Sequence, residues 1–107
     1  MIGAFADFAL LSAEDGGLRT AMQTPCRSLL LRLDGGGEIG EVVLGVLISR
    51  DSGDSLTPGE AVTRARFDFW DDVAAVYVTP GQAFELCYPI RAVARGTITS
   101  LFPVGPV

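Results

Sequence analysis

The run from Ala61 to Phe69 alternates at every residue, and that period constrains the fold more than any other feature of the chain. Ala61, Thr63, Ala65, Phe67 and Phe69 fall on one side; Val62, Arg64, Arg66 and Asp68 fall on the other. Successive side chains of an extended strand point to opposite faces, whereas a helix repeats about every 3.6 residues. The run is therefore predicted to be a strand with one face in a core. No window shows a helical stripe of useful length.

Other segments carry the same period. Ala4 to Leu11 places Ala6, Phe8 and Leu10 on one face and Asp7 on the other. Ser28 to Leu33 aligns Leu29, Leu31 and Leu33. Ile39 to Arg50 is apolar on both sides: Val42, Leu44, Val46 and Ile48 against Val43, Gly45 and Leu47. That pattern predicts burial on both faces, or a bend with a change of face at Gly45. Gln82 to Tyr88 sets Phe84, Leu86 and Tyr88 together, with Glu85 and Cys87 opposite. A sixth strand is predicted over Arg91 to Leu101, ending before Pro103.

Glycine and proline separate these runs. Glu14-Asp15-Gly16-Gly17 reads as a turn, followed by a loop through Leu18-Arg19-Thr20 to Pro25. Asp34-Gly35-Gly36-Gly37 and Asp51-Ser52-Gly53-Asp54 read as loose polar connections. Thr57-Pro58-Gly59-Glu60 and Thr79-Pro80-Gly81 place proline and glycine where a type II turn wants them. Trp70 to Tyr77 reads as a linker, with Trp70 a plug for the core. Six short strands predict an all-β fold, a closed antiparallel barrel or a small sandwich; closure removes exposed edges. The length fits a single domain over residues 1–107, with an ordered core of about 4–101 and a short C-terminal tail at 102–107.

Composition narrows the chemistry. The chain has no histidine and no lysine. Histidine-dependent triads and serine–lysine pairs are therefore excluded, because their nucleophiles need those bases. Without histidine, and with Cys26 and Cys87 far apart, no zinc site is expected. Asp51 to Asp54 lacks the ligand spacing and closing glutamate of a calcium loop. Glu14-Asp15 and Asp71-Asp72 are the only candidates for a carboxylate hydrolase, and adjacent acids in turns are ordinarily solvated surface. Gly35 to Gly37 lies between strands and lacks a phosphate-binding lysine. The chain is thus expected to be no enzyme and to need no cofactor.

Net charge is −5, and all eight basic residues are arginines. That balance opposes unaided nucleic-acid binding, which draws its affinity from positive charge. Arg64 and Arg66, and likewise Arg91 and Arg95, share outer faces. Cross-strand pairing with Glu85 or Asp68 is the simplest account of them, and an anion-binding patch the alternative. The two cysteines read as free or structural thiols, with a disulfide the other possibility. Residues 1–11 make a poor signal peptide, and no stretch approaches the roughly 18 apolar residues of a membrane-spanning helix. A cytoplasmic setting without membrane contact is expected.

Three stretches resemble, in order, the C-terminal (third) domain of elongation factor Tu. Phe8 to Arg27 carries a strand ending Leu10-Leu11, the acidic pair before Gly16-Gly17, then Thr20 and Arg27. Thr57-Pro58-Gly59-Glu60 leads into an alternating strand, similar to the family's Pro-Gly-Asp turn. Gly81 to Leu101 places Phe84, Leu86, Arg91, Val93, Gly96, Ile98 and Thr99 where the family carries Phe-x-Ile and Arg-x-Val-x-x-Gly-x-Val-Thr. The chain departs from the pattern at Leu18, Cys26, Ser28 and Pro89-Ile90, and lacks the GTPase segments entirely. The resemblance implies a six-stranded closed barrel acting as a stand-alone binding module. Its partner would be a protein, with RNA the second choice, and its contact residues Arg19, Thr20 and Arg27. The alternative is a self-associating structural or immunity-type barrel with no translation role, monomer or homodimer.

Overall fold

The computed structural model describes residues 2–34, 40–51, 54–88 and 90–103. Its elements are β1 (Ile2–Leu10), β2 (Met22–Gln23), β3 (Leu30–Asp34), β4 (Glu41–Ser49), β5 (Ser55–Leu56), β6 (Ala61–Phe69), a helical turn α1 (Ala74–Tyr77), β7 (Ala83–Cys87) and β8 (Ala92–Pro103). Six strands close into a barrel in the order β1-β6-β4-β3-β7-β8, with β8 returning to β1. Every pairing is antiparallel. The predicted fold class is what forms. β2 and β5 make a separate two-stranded ribbon out of segments that read as loop. The connection Gly35-Gly36-Gly37, Ile39, Ser52-Gly53, Pro89 and residues 104–107 lie outside the described residues.

The interior follows the alternation. Ala4, Ala6, Phe8 and Leu10 of β1 are buried, as are Leu29, Leu31 and Leu33 in and beside β3. Phe8, Phe67 and Phe84 meet inside the barrel with ring centroids 5.4–6.4 Å apart, two of the three pairs edge to face. Such pairs add about 0.5–1.5 kcal/mol each beyond the area they bury.

The two proline–glycine turns are near copies. Gly59 and Gly81 take φ of 82° and 84°, the left-handed region that a type II turn demands at its third residue. Glu60 N–H donates to the Thr57 carbonyl at 3.0 Å, and Gln82 N–H to that of Thr79 at 3.3 Å. In each turn the fourth side chain reaches back to accept from the threonine N–H, at 3.1 and 3.2 Å.

The structure departs from expectation where the strands bulge. In β6 it is Val62 that is buried, while Ala61 and Thr63 are exposed, the reverse of the predicted faces. The register against β1 shifts by one residue between Ala6↔Ala65 and Phe8↔Val62. Arg64 holds the bulge at φ 52°, and its N–H donates to Asp7 Oδ1 at 2.7 Å. One extra residue flips the faces of everything beyond it. A second register shift, where Leu86↔Ala94 is followed by Cys87↔Ala92, puts an extra residue in β8; Cys87, the last residue of β7, is buried, and Tyr88 lies outside the strand and is 44% exposed. Tyr88 thus leaves the face it was predicted to share with Phe84 and Leu86.

Three further expectations are corrected. β4 is not buried on both faces, since Val43 is 52% exposed, and it does not change face at Gly45, since Leu44, Val46 and Ile48 are all buried. Trp70 is no core plug: it is 54% exposed, on the outside of the barrel against Gly45. β8 begins after Arg91 and continues through Phe102 and Pro103, which pair with Gly3 and Ile2, so the expected tail begins two residues too early. Arg91 therefore does not share a strand with Arg95.

Candidate functional site

The arginines divide by what they touch. Arg32 binds Glu85 through Nη2 at 2.7 Å and Glu41 through Nε at 3.2 Å. Arg95 takes the other Glu85 oxygen at 3.1 Å. These side chains form a ladder across neighbouring strands, with Glu85 directly opposite both Arg32 and Arg95. Arg50 pairs with Glu60 at 2.9 Å, and Arg66 with Asp68 at 3.0 Å along its own strand. The Arg64 guanidinium sits 5.0 Å from the centre of the Phe5 ring. The side chains of Arg19, Arg27 and Arg91 make no hydrogen bond or ion pair among the described residues.

Those pairings fix the nearby carboxylates. Hydrogen bonds from Arg32 and then Arg95 hold Glu85 below the usual carboxylate range. The Thr57 N–H, then Arg50, do the same for Glu60. A lowered folded-state pKa contributes stability that is present above the ordinary carboxylate value and lost as pH falls through the lowered one. Both glutamates therefore help the fold at neutral pH and cease to help in acid. Neither has the raised pKa that a general acid needs at neutral pH.

The cysteines are free and buried. Burial pushes the Cys87 thiol up, with Arg32 opposing the shift. A raised thiol stays protonated and is a poor nucleophile. Among the described residues, no three potential metal ligands gather. Glu14 and Asp15 lie in an exposed turn where Asp15 accepts from Ser12 Oγ at 3.0 Å. Asp71 accepts the Val73 N–H at 3.0 Å, a turn contact rather than half of a carboxylate pair. No helix among the described residues is long and apolar enough to cross a membrane.

Concavities lined by described residues indent the surface. One, about 480 Å³, is bordered by Arg32, Glu41, Glu85 and Arg95. Its charges are spent on one another. A second, about 420 Å³, is lined by Arg27, Leu47, Asp68, Phe69 and Trp70. The third, about 320 Å³, brings together Arg19, Thr20, Tyr88 and Arg91. Buried Leu18 and Val93 form its floor. The Leu11 N–H donates to the Val93 carbonyl at 2.9 Å and ties the loop to the start of β8. With Leu18 anchored in the core, Arg19 and Thr20 are left exposed.

Two of the three residues singled out in the sequence thus share a site, and Arg27 lies in a different one. The Cys26–Ile48 backbone bridge, with bonds of 2.8 and 2.9 Å, lays that segment along β4. Sequence reasoning missed Tyr88 and Arg91 as members of the loop site. They flank the β7–β8 hairpin, closed by the Tyr88 N–H on the Arg91 carbonyl at 2.8 Å. The signal was present in Pro89-Ile90, where a proline between two alternating runs marks a turn. No family model matches the chain, and no curated protein matches it in sequence.

Proposed function

We propose that the chain is a non-catalytic binding module, a barrel of the elongation factor Tu third-domain type, that grips a protein partner through the Arg19–Arg91 concavity. One observation carries this reading: two uncommitted guanidiniums, a tyrosine and a threonine border one depression, while Arg32, Arg50, Arg66 and Arg95 are all ion-paired. Two forked cations bordering one depression suit a carboxylate, which each can bind through paired N–H donors. The net charge of −5 favours a single acidic side chain on a protein over a polyanion, whose every phosphate the acidic surface repels. The absence of histidine and lysine supports a role in binding rather than turnover.

The test is capture from the native cell with the wild-type chain and with an Arg19→Glu/Arg91→Glu variant. The wild type is expected to retain a protein that the variant loses, with retention weakened by salt and indifferent to nuclease. Identical capture by both chains defeats the assignment. Capture abolished by nuclease replaces the protein with RNA.

A further inference from the structure

The wall of the barrel opposite in character to the arginine ladder is apolar and unfinished. Trp70, Val73 and Val76 are 54%, 39% and 71% exposed. They are spaced three apart, Val73 and Val76 within a segment held by i→i+3 bonds and Trp70 just before it: Ala74 N–H to Asp71, Ala75 to Asp72 and Val76 to Val73, at 3.0–3.2 Å. Bonds of that span bring residues i and i+3 into line, so the segment presents a ridge. The Trp70 indole packs against β4, where a Cβ on Gly45 would come within 2.2 Å of it. Val43, two residues along on the same outer face, is 52% exposed. Beside the ridge is the 420 Å³ groove that contains Leu47 and the uncommitted Arg27.

We infer that this wall is the seat of a second copy of the chain, in a two-fold dimer that lays the Trp70–Val76 ridge of each protomer in the Arg27–Leu47 groove of the other. A two-fold contact requires one patch to complement itself, and a ridge adjoining a groove does so. The charges obey the same rule. Of the two charges in the groove, Asp68 is already held by Arg66 and Arg27 is not engaged, and Asp71, exposed, stands at the foot of the ridge, so Arg27 and Asp71 meet across the axis. Exposed apolar side chains gathered on one face and rimmed by charge are the mark of an association surface. This inference concerns a different wall from the Arg19–Arg91 concavity and stands or falls separately.

Sizing of the full chain by light scattering and sedimentation, from micromolar to near-millimolar concentration, is expected to show a monomer–dimer equilibrium. Trp70 is the only tryptophan, so its emission should move to the blue as the dimer forms. Val76→Asp, at a position already 71% exposed, is expected to weaken association about tenfold or more, as loss of a central apolar contact does, without lowering the melting temperature at dilutions where the wild type is monomeric. Arg27→Asp should weaken it too, and Arg27→Asp with Asp71→Arg should recover it. A monomer at every concentration, a dimer indifferent to Val76→Asp and Arg27→Asp, or a charge-swapped double variant no stronger than Arg27→Asp alone would each overturn the inference.

Discussion

Two aromatic rings on the outside of this barrel each lie over a glycine of a neighbouring strand, and they end differently. A Cβ on Gly3 would meet Phe102 Cζ at 2.3 Å; one on Gly45 would meet Trp70 Cε3 at 2.2 Å. Aromatic cover restores the packing that a strand glycine forfeits. Around Phe102 the cover is completed. Phe5 packs at 4.9 Å between ring centroids, the Arg66 guanidinium lies 4.8 Å from the Phe102 ring, and the Arg64 guanidinium closes over Phe5. Around Trp70 the ring is left half in solvent beside two exposed valines. One pair is finished within the chain. The other leaves apolar surface bare, which is what separates a structural seal from a contact surface.

Substitutions at the two sites should separate these roles. Gly3→Ala is expected to have the largest effect, about 2–3 kcal/mol of lost stability in urea unfolding, in the range of overpacked sites. Its methyl would press on the Phe67 carbonyl at 2.9 Å as well as on the ring, and backbone cannot swing aside. Gly45→Ala should cost less, about 1–2 kcal/mol, because its three nearest atoms all belong to the indole. Its sharper readout is tryptophan emission, expected to shift to the red as the ring is displaced into water. Arg66→Ala should cost least, because an exposed cation over a ring contributes little. Equal losses for the two glycine variants, or a loss for Arg66→Ala rivalling Gly3→Ala, would erase the distinction.

Much of the barrel could be read from the chain because period-2 burial is written directly into residue order. Leu29, Leu31 and Leu33 are inside for that reason, and the twin threonine–proline–glycine turns announced themselves by residue type. What escaped the reading were the bulges. Nothing in Ala61 to Phe69 says that Arg64 will adopt a positive φ, since the carboxylate receiving its N–H belongs to Asp7, 57 residues away. Trp70 was misplaced for a related reason: its partner is a bare backbone on another strand, and no pattern local to Trp70 records it. The candidate site was half visible. Arg19 and Thr20 stood out in their loop, but their neighbours Tyr88 and Arg91 arrive through the closure of a distant hairpin.

The bulge at Arg64 has a consequence for how the gene can change. In a loop, losing or gaining a codon alters only a length. Within β6 the count of residues is also an address, because odd and even positions go to opposite sides of the wall. Deleting Thr63 would remove the extra residue and leave Val62 and Ala65 two apart, so that an unbroken ladder with β1 carries both inward. Away from the bulge, a length change that most of the surface would absorb turns half the strand inside out, so there the segment tolerates replacement of its residues far better than any change in their number.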